Sequence, residues 1–187
     1  MGLSGAPWSV LLPHPQSPGA AHLSLGATAC LLAPARLACE FVLHAPLARV
    51  ALPARGAGAR RDELWRHTCF EVFVTAPAVP AYYEFNLAPS GDWAAYRFEG
   101  YRERMRPAAL PAPPLITLAE APGRLALSAR LELAGLADLG DATQLRLALA
   151  AVIEDRGGAL SYFALHHARA QPDFHDPEGF LLELTAP

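Results

Sequence analysis

Arg124–Leu133 reads RLALSARLEL, and apolar side chains recur at every second position along it. Successive side chains of a β-strand point to opposite faces, so this pattern predicts a strand with one face on a core and one towards solvent. Such half-buried strands are typical of antiparallel sheets. The inward positions are Leu125, Leu127, Ala129, Leu131 and Leu133, and the outward positions are Arg124, Ser128, Arg130 and Glu132.

Shorter β-prone runs flank this strand, and Pro, Gly and Asp residues interrupt them. We find no internal repeat and no long amphipathic helix. The other predicted strands lie at 37–44, 68–75, 82–87, 93–98, 145–153, 160–166 and 180–185. The sequence therefore predicts an all-β fold, an antiparallel β-sandwich of jelly-roll or immunoglobulin-like type, with roughly eight to ten strands and little helix. A chain of this length fits a single domain, 1–187, with a core from about 20 to 185.

The composition restricts the classes of function. With 52% hydrophobic and 18% charged residues the chain is expected to fold, and a net charge of −3 argues against a nucleic-acid partner. The amino terminus has no basic region, and its apolar run at 8–12 is too short for a signal sequence or a membrane span. Cys30, Cys39 and Cys69 form no CxxC pair and are expected to be free thiols. We therefore expect a cytoplasmic protein without a membrane partner.

The strand predicted at 68–75 carries one acidic residue, Glu71, in an otherwise hydrophobic run. An unpaired carboxylate in a core costs several kcal/mol, so Glu71 must reach water or polar partners. Trp65 precedes the same strand. An indole beside a fixed carboxylate suits a sugar, because the ring stacks on C–H groups and the carboxylate accepts from hydroxyls. Alternatively, Trp65 closes the end of the core and Glu71 pairs with an arginine.

Glu84 and Asn86 share one face of the next predicted strand, and Trp93 follows the turn after it. If this strand pairs with the one that carries Glu71, then Glu71, Glu84 and Asn86 form one polar patch. Paired carboxylates also serve as the acid and base of glycosidases, so a small hydrolase is an alternative function.

The second strand of the predicted hairpin at 145–166 carries Tyr162 and His166, and the loop after it contains Asp173 and His175. The histidine spacing matches no standard zinc arrangement, so we predict no metal site. A hydrolytic pair of His166 with Asp173 is a further alternative. We expect Phe174 to pack on the sandwich, and Asp173 or His175 to bond to backbone groups of the loop.

Three stretches together resemble the bacterial DOMON-like proteins, which are relatives of the family 9 carbohydrate-binding modules. They are LWRHTCFEVFV at 64–74, YYEFNLAPSGDW at 82–93 followed by Tyr96 and Phe98, and SYFALHHARAQPDFHDPEGF at 161–180. The resemblance covers most of residues 37–185. It implies a jelly-roll-like β-sandwich that binds sugar or haem on or near one sheet.

By position in these motifs, Trp65 looks like the stacking tryptophan of the sugar modules and Glu71 like their hydroxyl-binding carboxylate. Their second stacking tryptophan has no clear counterpart, and Tyr162, His166 or Trp93 are the candidates to replace it. Haem-binding members use a Met with a His, and here Met105 is the only internal methionine. No cofactor is expected.

The sequence thus predicts a non-catalytic domain that binds a small molecule, a sugar or sugar-like metabolite. A haem-binding or electron-transfer domain, a small hydrolase and a protein-interaction domain are the alternatives. The predicted ligand-binding residues are Trp65, Glu71, Glu84, Asn86, Trp93, Tyr162, His166 and His175.

Overall fold

The computed structural model describes residues 6–17, 19–33, 35–77, 79–140 and 142–186. Within them the regular structure is twelve β-strands and four short 3-10 turns. The strands are β1 (Ser9–Pro13), β2 (Ser24–Ala33), β3 (Arg36–His44), β4 (Cys69–Thr75), β5 (Tyr82–Leu87), β6 (Trp93–Phe98), β7 (Arg106–Pro107), β8 (Leu115–Ala121), β9 (Arg124–Glu132), β10 (Gln144–Glu154), β11 (Leu160–Ala164) and β12 (Leu182–Thr185). The 3-10 turns lie at Ala20–His22, Leu47–Arg49, Leu64–Arg66 and Pro177–Gly179. No helix of the described residues is long and apolar enough to cross a bilayer.

The strands form two antiparallel sheets that pack face to face. The first sheet has the order β1-β2-β3-β9-β8, and the second has the order β7-β6-β5-β4-β10-β11, with β12 beside β10. Strand β1 joins them, because Ser9–Leu11 pairs with β2 whereas Leu12 and Pro13 pair with β11. The predicted antiparallel β-sandwich is confirmed, with more strands than the eight to ten expected.

The main core lies between the two sheets. Phe41 and Leu127 from the first sheet meet Phe70 and Phe85 from the second, and the Phe41 and Phe70 rings are 5.2 Å apart. The quoted stretch forms β9, and its predicted inward residues all belong to this core. Burial of these side chains is the main stabilising contribution to the sandwich.

The second sheet is buried on its other face as well. Phe73, Tyr82, Tyr96, Phe98 and Phe180 belong to a separate apolar cluster there. We call this side the outer face, because it points away from the main core. Every residue of β5 is buried, which reflects the cover on both sides. This second layer positions the candidate site.

Candidate functional site

A cavity of about 420 Å³ lies over the outer face of the second sheet. It is large enough for a small metabolite, since ligand pockets measure roughly 300–1,000 Å³. The alternation of side chains places Glu71 of β4 and Glu84 of β5 on this face. The lining residues are Trp65, Arg66, Glu71, Glu84, Phe98, Arg102, Met105, Val152, Leu160, Tyr162, Pro172, Phe174 and His175.

Aromatic side chains form much of the cavity wall. Trp65 follows Leu64 in a 3-10 turn before β4, and its half-buried ring meets Tyr96 edge to face at 5.6 Å. Tyr162, on β11, meets Phe174 of the following loop at 6.1 Å. Such edge-to-face contacts fix the rings and leave part of each surface free for a ligand.

Glu71 is the least expected group in the cavity. It lies in the middle of β4, it is only 3% exposed, and its Oε1 has no hydrogen-bond partner among the described residues. Burial raises the pKa of Glu71 well above its usual range, and the charge of Glu84 raises it further, against an opposing effect of Arg102. A buried carboxyl group without a partner is costly in the isolated protein and favours a ligand that supplies a donor.

Glu84 is the second buried carboxyl group, and Asn86 holds it. The Asn86 Nδ2 donates to Glu84 Oε1 at 2.6 Å, while the thiol of Cys69 donates to Asn86 Oδ1 at 3.6 Å. Burial raises the pKa of Glu84 to about 7, against the opposing effects of Asn86 and Arg102. In the sheet Glu71 lies opposite Asn86, so Glu84 is its diagonal neighbour on the same face.

His175 approaches Glu84 from the loop before β12. The backbone N–H of Arg102 donates to the Tyr82 hydroxyl at 3.2 Å, and that hydroxyl lies 2.8 Å from His175 Nδ1. When the hydroxyl donates this hydrogen bond, Nδ1 is the acceptor and the imidazole proton is on Nε2, which lies 3.8 Å from Glu84 Oε2. Burial, with the charge of Arg102, lowers the pKa of His175 to about 4. The ring is therefore neutral near pH 7.

A charged cluster at the rim ties this loop to the turn after β6. Two nitrogens of Arg102 donate to Asp173 Oδ1, at 3.2 and 2.8 Å, and the Tyr101 hydroxyl donates to Oδ2. Asp173 Oδ1 also accepts from the backbone of His175 at 3.1 Å, and Phe174 packs partly buried on the outer face. The predicted packing of this loop is confirmed.

The structure gathers most of the predicted site residues at one place. Trp65, Glu71, Glu84, Tyr162 and His175 line the cavity, and Asn86 lies directly behind it in contact with Glu84. Their role in ligand binding stays a prediction.

Two predicted residues lie elsewhere. Trp93 faces the main core on the opposite side of the sheet, where its Nε1 donates to Gly58 O at 3.2 Å. Its position on β6 has the wrong parity, since Ala94, Tyr96 and Phe98 take the outer face. His166 lies beyond the end of β11, is exposed, and does not line the cavity. Among the described residues it makes no hydrogen bond to Asp173, which bonds to Tyr101, Arg102 and the backbone of His175.

Several residues that line the cavity were not predicted from the sequence. Phe98 could have been found from its alternation with Tyr96, because both lie on the outer face. Arg102 and Met105 come from the turn after β6, where Arg102 has a φ of 55°. No local signal in an arginine-rich run indicates that such a turn reaches a distant loop.

The geometry also bears on metal and haem. The described residues contain no cluster of three or more His, Cys, Asp or Glu side chains that could hold a metal ion. Met105 and His175 line the same cavity, and a Met with a His is the residue pair that haem ligation would need. Both ring nitrogens of His175 have protein neighbours, however, Tyr82 at Nδ1 and Glu84 near Nε2. The arrangement therefore does not fit an axial ligand.

Comparison with solved structures finds this fold in proteins linked to carbohydrate binding. A protein of Bacteroides uniformis proposed to bind carbohydrate superposes with a TM-score of 0.73 at 16% identity, over 97% of this chain and 86% of that one. A family 9 carbohydrate-binding module of Caldicellulosiruptor kristjanssonii in complex with cellotriose superposes with a TM-score of 0.59 at 10% identity, over 96% and 82%. A family 9 module of the same organism in complex with glucose gives 0.55 at 10% identity, over 96% and 83%.

No protein-family model matches the chain, and no curated protein matches it in sequence. At these low identities the structural likeness concerns the fold alone. The chain has the β-sandwich fold that is found in family 9 carbohydrate-binding modules.

Proposed function

We propose that this chain is a non-catalytic binding domain that holds a sugar or sugar-like metabolite in the cavity on its outer face. The observation that carries the proposal is the carboxyl group of Glu71, which lines the cavity and has no hydrogen-bond partner among the described residues. Sugar hydroxyls are donors of the kind that this group needs. The fold supports the proposal, since the family 9 modules that share it were solved with cellotriose and glucose.

The aromatic residues supply the second half of a sugar site. Trp65 and Tyr162 line the cavity with partly exposed rings, and an aromatic face suits the C–H side of a pyranose. Glu84 and His175 add polar groups that Asn86 and Tyr82 hold in place. A few fixed polar groups among apolar walls are the usual composition of a small-molecule site.

Calorimetry with a panel of mono- and disaccharides tests the proposal. We expect a measurable dissociation constant for at least one sugar. Trp65→Ala should raise it about 5- to 150-fold, which corresponds to the loss of about 1–3 kcal/mol of stacking and apolar contact. Trp8→Ala is the matched control, because Trp8 is exposed and does not line the cavity. The control should leave the dissociation constant unchanged.

Glu71→Gln tests the carboxyl group separately. The amide keeps the shape of the side chain but replaces one oxygen by an NH2 group that only donates, so it can accept fewer hydroxyl hydrogen bonds, and binding should weaken while the fold persists. Glu120→Gln, on the exposed edge strand β8, is the control for the same chemical change. Absence of binding to every sugar would contradict the proposal, and so would conversion of the sugar during the titration, detected by NMR.

A further inference from the structure

The two carboxyl groups of the cavity have no full positive charge paired with them. Among the described residues Glu71 makes no ion pair, and the one basic side chain within 4 Å of the Glu84 carboxyl group is His175, at 3.8 Å, which is neutral near pH 7. The guanidinium groups nearby are engaged with other acids. Arg102 pairs with Asp173 at 2.8 Å, and Arg66 pairs with Glu63 at 2.9 Å.

Aromatic rings surround this unpaired acidic pair. Trp65, Phe98, Tyr162 and Phe174 line the same cavity as Glu71 and Glu84. The face of an aromatic ring attracts a cation, by about 0.5–2 kcal/mol depending on desolvation. Carboxyl groups at the base of a cavity with aromatic walls are therefore complementary to an ammonium group, and more so than to a neutral hydroxyl.

We propose that the cavity selects ligands that carry a protonated amine, such as an amino sugar, over their neutral counterparts. The inference rests on the proposed function, since it names the class of sugar that the same site takes. The ammonium group supplies several N–H donors, which can satisfy the unpartnered oxygen of Glu71, and its positive charge balances one ionised carboxyl group of the pair.

Proton release is the signature of this mode of binding. Burial favours the protonated carboxyl pair in the free protein, and a bound ammonium group favours its ionised form. The amine ligand therefore displaces a proton from Glu71 or Glu84 to solvent, whereas a neutral sugar binds without proton release.

Of the two carboxyl groups, Glu84 has a pKa near neutral pH, and several titratable or charged groups surround the pair. They are Cys69 on β4, Tyr82 on β5, Tyr96 on β6, Arg102 from the turn after β6 and His175 from the loop before β12, while β10 presents Ala148, Ala150 and Val152. Burial raises the pKa values of Cys69, Tyr82 and Tyr96, and it lowers that of His175. None of the groups with these shifted pKa values changes its charge between pH 6 and 8, where Glu84 loses its proton.

Calorimetry with glucosamine and 6-amino-6-deoxyglucose, against glucose and N-acetylglucosamine, tests the inference. At pH 6.5 we expect an amine to bind at least tenfold more tightly than its neutral counterpart. The heat of amine binding should differ between phosphate and ACES buffers, which differ in ionisation enthalpy, in the direction of proton release. Neither result depends on a variant.

Variants then assign the selectivity. Glu71→Gln should reduce the preference for the amine to less than about threefold. Glu84→Gln should do the same if the first variant does not fold, and Glu120→Gln should retain the full preference. Neutral sugars that bind as tightly as amines, without buffer-dependent heat, would overturn this inference and leave the proposed function standing. Failure of all four ligands and of the wider sugar panel would overturn the proposed function as well.

Discussion

The buried carboxyl group of Glu84 makes a prediction about stability that needs no ligand. Folding raises its pKa from the ordinary 4.5 to about 7, chiefly through burial. The folded chain therefore keeps a proton that the unfolded chain has lost, and the stabilising effect of the neutral group is fully present below pH 4.5. It is lost as the pH rises through the folded pKa near 7.

The magnitude follows from the size of that shift. Each pH unit between the two pKa values changes the free energy of unfolding by about 1.4 kcal/mol, so a rise from pH 5 to pH 8 removes about 2 kcal/mol. Glu84→Gln cannot ionise, and its Oε1 can still accept from Asn86. Relative to the wild type, the variant should therefore become about 2 kcal/mol more stable at pH 8 than it is at pH 5.

Urea unfolding followed by tryptophan fluorescence, at pH values from 5 to 8, measures this difference. Comparison of the variant with the wild type at each pH cancels the contributions of groups whose pKa does not depend on Glu84, among them His175. Glu120→Gln replaces an exposed carboxyl group and should give a profile parallel to the wild type. A Glu84→Gln profile that is also parallel would show that folding does not raise the pKa of Glu84 and that the acidic pair is not desolvated.

Three further predictions concern the same fold. Burial lowers the pKa of His175 to about 4, so the stabilising effect of the neutral imidazole is present above pH 6.5 and is lost as the pH falls towards 4. Relative to the wild type, His175→Asn should therefore be about 2 kcal/mol more stable to urea at pH 4.5 than at pH 7.5. An equal difference in stability at both pH values would refute the shift. In a thiol-reagent assay on the native protein Cys30 should react first, since Cys39 and Cys69 are buried with raised pKa values, and all three should react at once only after unfolding. Titration with haemin should give no shifted Soret band. A band typical of His ligation would contradict the conclusion that His175 is not placed to act as an axial ligand.

The local pattern of the sequence predicted most of the second sheet. Alternation in CFEVFVT and YYEFNL places Glu71 on one face of β4, and Glu84 and Asn86 on one face of β5. The structure pairs these strands in the register that brings the three residues together. Such predictions succeed because the parity of a strand is a local property of its backbone.

The same pattern missed strands in which polar and apolar residues do not alternate clearly. Strand β2 is rich in small and apolar residues, SLGATACLLA, and β8 is a largely exposed edge strand. Propensity is weak in both kinds of segment, since pairing with a neighbour determines whether they form strands.

Trp93 was assigned to the site for a related reason. Both faces of β6 are hydrophobic, so its sequence cannot show which face meets the main core and which meets the cavity.

The sequence by itself determined the class of fold, the parity of the main strands and the presence of carboxyl groups within hydrophobic runs. Only the tertiary structure decided that the second sheet is covered on both faces, and that the Arg102 turn and the His175 loop close over Glu71 and Glu84. The physical reason is the range of the interactions. Alternation is a property of neighbouring residues, whereas desolvation depends on segments that are distant in the chain. It is this burial, made by distant segments, that raises the pKa values of two ordinary glutamates and turns one face of a sheet into a candidate binding site.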